Sequence, residues 1–332
     1  MTSKHPRIDL QRLKTMSISD RKSKVNVEQF AAPHRAGASV GQFLDHLPDI
    51  LAGRSVREVI EAIADAHTHR KPVVAAMGAH VIKCGLSPII VDLLRRRLIT
   101  AIALNGAGAI HDAEIALFGE TSEDVVDTMR TGMFGMARET ADFLNDAAQT
   151  AQNQDLGFGE ALGKALVEAN ATHRRVSLLA AAYESDIPAT VHVSIGSDIV
   201  HMHPTADGAA IGAASMTDFR ILTQAMTGIH EGGVLMNIGS AVVLPEVILK
   251  ALNTIVNLGQ DVGGMIGVNL DFIQHYRSNQ QVVSRVRELG GAGISLTGHH
   301  ELMIPLIAAG VIERLGNKEL RAADRKYSPE SE

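Results

Sequence analysis

The chain has 332 residues, of which 45% are hydrophobic and 20% charged, and its formal net charge is −6. Aromatic residues make up only 3% and Trp is absent, so the composition and the negative charge both argue against a nucleic-acid partner. The single cysteine, Cys84, excludes a disulfide or a thiolate zinc site within one chain. No apolar run approaches the roughly 18 residues of a membrane helix, so we expect a cytoplasmic protein without a membrane partner.

The first 40 residues form a basic segment. They contain eight Lys or Arg against three Asp or Glu, and they lack both a clear apolar period and the apolar core of a signal peptide. We expect an N-terminal arm over residues 1–40 that lies on the body of the protein or on a neighbouring subunit. A solvated tail is the alternative.

From residue 41 onward, short apolar runs alternate with longer amphipathic stretches. The apolar runs predict strands over residues 72–78, 100–105, 189–195, 232–239, 263–271 and 292–298. The amphipathic stretches predict helices over residues 40–51, 55–69, 82–98, 122–132, 135–149, 158–170, 177–186, 215–229, 241–259 and 301–315. Ser122 is the expected N-cap of its helix.

This alternation is typical of β-α-β units, and strands that are apolar on both faces belong in a sheet covered by helices on both sides. We therefore predict a single α/β domain over residues 41–320 with a doubly wound, mostly parallel, Rossmann-like sheet. A polar C-terminal tail is expected over residues 321–332.

Small and polar residues follow nearly every predicted strand. In doubly wound sheets, ligands bind beyond the carboxyl ends of the strands. The candidate segments are residues 78–80, 105–114, 196–207, 237–240, 269–271 and 298–301. In the second of these, the small residues of 105–108 would let the backbone approach a phosphate at a helix N-terminus. The segment matches neither the GxGxxG nor the GxxxxGK[ST] motif, and tight packing of strand against helix is the alternative.

A second candidate site combines histidines with carboxylates. On an extended stretch, His201 and His203 would project the same way, with Asp198 and Asp207 on either side. Together with His111, and with His192, His299 and His300 at other strand ends, they make a metal site conceivable. The alternative is a polar substrate pocket in which histidines move protons near neutral pH.

Two further segments carry charged residues on helices. Glu246 and Lys250 lie four residues apart and predict a surface ion pair, although a sheltered Lys250 could act as a base or form an imine. His299 and His300 point in different directions, so only one of them needs to face a site. Glu301 follows at a helix start, where a carboxylate is favourable in any case.

The order of the strand-end motifs resembles the deoxyhypusine synthase family. The similarity runs through residues 72–86, 99–117, 189–199, 231–243, 264–272 and 293–307. It implies a doubly wound NAD-binding fold and a homotetramer with NAD and spermidine at subunit interfaces. It also implies dehydrogenation of an amine by NAD, followed by transfer of an aminobutyl group through an imine on a lysine.

The resemblance carries over to individual positions only in part. The family's Thr-Ser-Asn turn against NAD falls on Gly78, Ala79 and His80, and its Thr-Ala-Gly-Gly turn falls on residues 105–108. The acidic pair that follows falls on Ile110 and His111, so one carboxylate is lost and one becomes an imidazole, whereas Asp112 is retained. The Asp-Gly-Ser segment near the polyamine falls on residues 195–197 without its Asp. The family's His pair falls near Glu246, and its Asp before the last helix near His299.

The family's nucleophilic lysine has no counterpart. It should lie within residues 269–290, yet the sequence contains no Lys between Lys250 and Lys318. Lys83 or Lys250 would have to replace it if an imine forms. The resemblance therefore supports the fold and NAD, but it argues against deoxyhypusine synthesis itself.

We accordingly expect an NAD-dependent enzyme, of the transferase or oxidoreductase type, that dehydrogenates a small amine or polyol, with group transfer as an additional step left open. Two alternatives are a metal-dependent hydrolase or lyase that uses His201 and His203, and a non-catalytic nucleotide-binding protein. The predicted catalytic residues are His111, His201, His203, His299 and Lys250. The predicted cofactor-binding residues are Gly78, His80, Asn105, Gly106, Ala107, Gly108, Asp112, Gly239, Ser240 and Asn269. The predicted substrate-binding residues are Asp198, Asp207, Glu246 and Glu301.

Overall fold

The computed structural model describes residues 3–327, with side chains through residue 316. These residues form a six-stranded sheet in the order β3-β2-β1-β4-β5-β6, and every neighbouring pair of strands is parallel. The strands are β1 (Val73–Met77), β2 (Ala101–Asn105), β3 (Ala189–His192), β4 (Val234–Ile238), β5 (Ile266–Asp271) and β6 (Ala292–Thr297). The predicted doubly wound α/β fold is confirmed.

Helices cover both faces of this sheet. They are α1 (Val40–Asp45), α2 (Leu51–Thr68), α3 (His80–Lys83), α4 (Ser87–Arg95), α5 (Gly106–Phe118), α6 (Val125–Thr131), α7 (Arg138–Gln154), α8 (Phe158–Glu168), α9 (Leu178–Glu184), α10 (Gly208–Ala225), α11 (Val243–Asn257), α12 (Tyr276–Ser278), α13 (Arg285–Glu288) and α14 (His300–Tyr327). Backbone dihedrals at Gly316 are non-helical and divide α14.

The side chains of β1 show why the strands read as continuous apolar runs. Val73, Ala75 and Met77 belong to one buried cluster, whereas Val74 and Ala76 belong to a second cluster on the other face. Successive side chains of a strand point to opposite faces, so a strand with helices on both sides must be apolar at every position.

Several helix boundaries differ from the predicted ones for identifiable reasons. The helix predicted over residues 82–98 is two helices, because Gly85 between α3 and α4 adopts a φ of +75°. The N-cap of α6 is Asp124, which accepts a hydrogen bond from the Val126 amide, and not the predicted Ser122, whose φ is +70°. The helical stretch from α12 through α13, which includes a π-helical segment over Asn279–Ser284, was not predicted.

Residues 3–39 carry three short 3-10 turns, Leu10–Arg12, Ile18–Asp20 and Val27–Gln29, and their side chains are almost all exposed. At the other terminus, the predicted polar tail falls partly outside the described residues, since residues 328–332 are not described. The boundaries of the arm, the domain and the tail stay predictions. Among the described residues, no helix has the length and apolar character required to cross a bilayer.

Candidate functional site

The centre of the carboxyl edge is the junction of β1 and β4, where the strand order changes direction and ligand crevices form in such sheets. Gly78 follows β1, and its amide donates to the Ile238 carbonyl at 2.8 Å. A side chain on Gly78 would overlap the backbone of Gly239, and Gly239 itself adopts a φ of +67°. Both positions therefore need glycine, and the ends of β1 and β4 lie in close contact at this point.

A buried network of side-chain amides surrounds the turn after β4. Asn237 Nδ2 donates to the Ser240 carbonyl at 2.9 Å and to Asn269 Oδ1 at 2.8 Å, and Asn269 Nδ2 donates to Gln274 Oε1 at 2.8 Å. Ser240 Oγ accepts from the Leu244 amide at 3.3 Å. Asn269 and Ser240 were predicted to bind a cofactor. Because their polar atoms are buried and engaged in holding the turn after β4, we assign them a structural role instead.

The turn from β2 into α5 is built from the small residues that the sequence singled out. Asn105 is the N-cap of α5, and its Oδ1 accepts from the Gly108 amide at 3.0 Å. A Cβ on Gly106 would lie 2.6 Å from Asp198 Cγ, so the absence of a side chain lets the segment that carries Asp198 lie against the start of α5. Ala107 is half-buried in this first turn.

The segment that carries the histidines is not extended. Residues Ile199–Met202 form a 3-10 turn, and His201 Nδ1 accepts from the amides of Gly196 and Asp198 at 3.1 and 3.2 Å. His203 Nε2 instead donates to the Gly135 carbonyl at 2.8 Å. The expectation that the two imidazoles project the same way is therefore wrong, because the turn and its hydrogen bonds direct them to different partners.

This arrangement removes the basis of the metal hypothesis. Within the part of the chain whose side chains are described, no group of three or more His, Cys, Asp or Glu is arranged to hold a metal ion. Asp198 lies 3.9 Å from His201 Nε2, and burial raises the pKa of its carboxyl despite that neighbour.

His111 belongs to a separate network beside α5. Its Nδ1 shares a hydrogen bond of 2.6 Å with Thr121 Oγ1, which donates to Glu114, and Thr140 donates to the same carboxylate at 3.1 Å. Burial alone would raise the pKa of Glu114, but the hydrogen bonds from His111 and the two threonines lower it. Glu114 lines a cavity of about 510 Å³ together with Glu120, Glu123 and Glu139.

Asp112, predicted to bind the cofactor, is buried in the interior. Its carboxylate accepts from Ser177 Oγ at 2.6 Å and from the amides of Leu178 and Leu179 at 2.7 and 3.1 Å, which are the first residues of α9. Burial raises its pKa to about 6. With 1% of its surface exposed, Asp112 cannot reach a ligand, and this placement corrects the prediction.

Glu246 and Lys250 form the surface ion pair that their spacing predicts. Arg277 also pairs with Glu246 at 2.6 Å, and hydrogen bonds from Lys250, Arg277 and Gln281 lower the pKa of this carboxyl to about 2. The Lys250 side chain is 57% exposed. A lysine that acts as a base needs a sheltered position, and the exposed, paired Lys250 does not have one.

The two remaining predicted substrate ligands lie at helix starts. Asp207 caps α10 by accepting from the amides of Ala209 and Ala210 at 2.8 and 3.2 Å. Glu301 is exposed in the first turn of α14, 3.8 Å from His299 and within reach of the Cys84 thiol at 3.7 Å. Of the two, Glu301 lies beside the cluster of aromatic and histidine rings described next.

Four rings gather at the carboxyl ends of β1, β5 and β6. Phe272 stacks on His299 with ring centres 5.8 Å apart, and His80 lies 5.7 Å from His300 and 6.2 Å from Phe272. His300 is 1% exposed, and its ring lies against Gly239, where a Cβ would come within 2.6 Å. Asp271 Oδ1 lies 3.8 Å from His300 Nε2.

The sequence analysis named both adjacent histidines, assigned a catalytic role to His299 alone, and did not single out Phe272. Adjacent histidines at a helix start differ in burial according to how the helix packs, and the sequence alone does not reveal which of them faces inward. The sequence does contain a signal for Phe272. The residue directly follows a strand-end Asp, and the chain has only eight Phe.

Several solved structures are similar to this chain at low sequence identity. A conserved LOR/SDH protein from Methanococcus maripaludis S2 matches 85% of this chain and 72% of its own, at 15% identity and a TM-score of 0.49. AgrE, solved in a ternary complex with ornithine and NAD+, matches 84% of this chain at 14% identity and a TM-score of 0.52. A protein assigned as a deoxyhypusine synthase from Entamoeba histolytica matches 82% of this chain and 93% of its own, at 11% identity and a TM-score of 0.42.

These similarities concern the fold alone. This chain spans about a third of the length of the AgrE chain, 34%. No protein-family model and no curated protein sequence matches it. Beyond the shared Rossmann-like architecture, membership of the deoxyhypusine synthase family stays a prediction.

Proposed function

We propose that this protein is an NAD-dependent enzyme that dehydrogenates a small amine or polyol. The observation that carries the proposal is the switch point between β1 and β4 in a parallel sheet of order 3-2-1-4-5-6, the order of dinucleotide-binding folds. AgrE, which shares the fold, binds NAD+ and ornithine in its solved complex, and this likeness supports the same cofactor class here.

The dinucleotide would lie across the switch point, over Gly78 and Gly239, with a phosphate near the first turn of α5. That helix has 13 residues, so its N-terminal amides favour an anion. The carboxylate of Asp198 lies against Gly106 at this place, so a phosphate there would displace it. Asp198 is accordingly a competitor of the cofactor rather than a part of its site.

Dehydrogenation requires a base for the proton of the substrate's hydroxyl or amine, while NAD+ supplies the hydride acceptor. Of the predicted bases, His201, His203 and His111 already hold hydrogen bonds within the protein. His299 and His80 are exposed at the carboxyl ends of β6 and β1 and fit the role better. Group transfer through an enzyme imine is not part of the proposal, because Lys250 is exposed and paired with Glu246.

A charge placed in the first turn of α5 tests the cofactor site. We expect Ala107→Asp to weaken NAD+ binding by about tenfold or more, because a carboxylate there repels the cofactor phosphates. The fold should tolerate the change, since an acidic residue in the first turn of a helix is stabilising by about 0.3–1 kcal/mol. The measurement is calorimetric titration of the full chain with NAD+, accompanied by a thermal unfolding curve.

Two control variants accompany this test. Ala107→Asn has the same size without the charge and should bind NAD+ nearly as well as the wild type. Ala52→Asp places the same carboxylate in the first turn of α2, away from the proposed site, and should leave affinity unchanged. A wild-type chain that does not bind NAD+ would overturn the proposed function. A chain that binds NAD+ but reduces it with no amine or polyol would favour the nucleotide-binding alternative.

A further inference from the structure

Helix α6 exposes its apolar side chains. It buries none of its seven residues, and Val125, Val126 and Met129 are between 45% and 66% exposed. Positions three and four residues apart lie on one side of a helix, so Met129 lies beside both valines. Helices are stabilised mainly by the packing of an apolar face, and an exposed apolar patch is typical of an interaction surface. Among the described residues, nothing covers this side of α6.

The cavity beside α6 is acidic. Ser122 and Glu123, directly before the helix, line it together with Glu114, Glu120 and Glu139, and none of its described lining residues is Lys or Arg. Although burial opposes the shift, hydrogen bonds lower the pKa of Glu114, so its carboxylate stays ionised near neutral pH. We call α6 and this cavity together the α6 surface. Its complement is an apolar segment that also carries positive charge.

The N-terminal arm has this composition. It contains eight Lys or Arg against three Asp or Glu. Its large apolar side chains are between 52% and 84% exposed, and they are Ile8, Leu10, Leu13, Met16, Ile18, Val25, Val27 and Phe30. The arm is attached to the body at its C-terminal end, where the Asp49 amide donates to the Gln29 carbonyl at 2.9 Å and the Ala32 amide to the His46 carbonyl at 3.0 Å. The side-chain hydrogen bonds described for residues 3–28 stay within the arm.

We propose that the N-terminal arm of a second copy of this chain docks on the α6 surface. The apolar side chains of the arm cover Val125, Val126 and Met129, and its Lys and Arg side chains meet the carboxylates of the cavity. At about 3.3 Å per residue, residues 3–28 span up to about 85 Å, which is enough to leave one body and reach another. Because each copy carries one arm and one α6 surface, two copies related by a two-fold axis cover both surfaces by exchanging arms.

The test is hydrogen exchange of backbone amides in the full chain, measured for two charge-reversal variants. The arm variant is Lys22→Glu with Lys24→Glu, and the cavity variant is Glu120→Lys with Glu139→Lys; all four residues are exposed. We expect the amides of residues 8–28 to exchange at least tenfold faster in either variant than in the wild type, because like charges then face each other. When the two variants are produced together in one cell, slow exchange should return. The native arm then meets the native cavity, and the reversed arm meets the reversed cavity.

The mixed sample identifies the body on which the arm docks. Return of slow exchange in this sample supports docking between copies. Fast exchange in the mixed sample, alongside slow exchange in the wild type, means that the arm docks on its own body and overturns the inference. Fast exchange in the wild type overturns it too, and so does slow exchange in both variants, because the arm then docks elsewhere. None of these outcomes depends on NAD+, so the proposed function is tested separately.

The matched control is Glu58→Lys with Asp65→Lys. Both residues are exposed on α2, and the change in net charge equals that of the cavity variant. Exchange in the arm should stay as slow as in the wild type, and unfolding midpoints verify that each variant is folded. Sedimentation velocity of the wild type should show a dimer or a larger assembly. A monomer at every concentration would overturn the inference.

Discussion

At the residue scale, Asp112 shows how one buried carboxylate can organise a helix start. It accepts three hydrogen bonds, from Ser177 Oγ and from two amides of α9. The amides at a helix start have no partner within the helix, so a side chain from elsewhere must satisfy them when they are buried. The position therefore serves stability, although its sequence neighbours pointed to a ligand.

We expect Asp112→Ala to lower the free energy of unfolding by about 2–3 kcal/mol, because it leaves buried donors without an acceptor. Asp112→Asn should cost less, since its amide oxygen still accepts. The measurement is urea unfolding at pH 7.

The matched control is Asp207→Ala, which removes an exposed cap from α10. Water can replace that cap, so the expected loss is about 1 kcal/mol. Equal losses for the two alanine variants would contradict a special role for the buried carboxylate.

At the scale of elements, the close packing of α8 depends on glycine. A Cβ on Gly163 would lie 2.5 Å from the Leu179 carbonyl oxygen and 2.9 Å from Tyr183 Cβ, both on α9. The two helices therefore approach at a distance that no larger residue allows. On α10, by contrast, Gly212 has open space around the same position.

Replacement of glycine by alanine should therefore have opposite effects on stability at these two positions. We expect Gly163→Ala to destabilise the protein by about 1–3 kcal/mol, because it forces α8 away from α9. Gly212→Ala should stabilise it by about 0.5–1 kcal/mol, because alanine is the better helix former and meets no neighbour. Thermal and urea unfolding of both variants check the pair, and a shift of the same sign in both would contradict the packing shown here.

At the scale of the whole molecule, Asp218 connects three elements. From α10, its Oδ2 accepts from the Val191 amide of β3 at 2.6 Å and from the Gly159 amide of α8 at 2.9 Å. Burial raises the pKa of this carboxyl to about 8, against an ordinary value of 3.8. Oδ1 has no partner among the described residues, so the protonated form is the one that the fold prefers.

This raised pKa predicts how global stability depends on pH. The folded chain keeps a proton that the unfolded chain releases, so the contribution is complete below the ordinary pKa of 3.8 and is lost as pH rises towards 8. Between pH 6.5 and 7.5 this group should lower the free energy of unfolding by about 1.4 kcal/mol per pH unit. Asp218→Asn retains the accepting oxygen without the titration, so its unfolding free energy should lack this slope.

Urea unfolding of the wild type and of Asp218→Asn at the two pH values provides the comparison. Asp112, with a pKa of about 6, titrates mostly below this range and is present in both proteins. Parallel pH dependences in the two proteins would show that Asp218 ionises normally. The homotetramer implied by the resemblance stays a prediction at this scale.

The sequence by itself determined the fold class and the positions of all the strands. Strands buried on both faces must be apolar throughout, and the helices between them must be amphipathic. Both patterns can be recognised in a short stretch of sequence. The turns at the strand ends could also be predicted, because the local backbone of a turn favours glycine and asparagine. The carboxyl edge of the sheet, where such folds bind ligands, was therefore predictable as the place to look for a site.

Only the tertiary structure decided which of the polar residues at that edge are engaged by other parts of the fold. The direction of a side chain depends on the neighbour it packs against, and that neighbour comes from a distant part of the chain. The Asp112 carboxylate accepts a hydrogen bond from an amide of α9. Asn269 is hydrogen-bonded to Asn237 and Gln274, and His203 donates to the Gly135 carbonyl. His300, the first residue of α14, is buried against the backbone of Gly239.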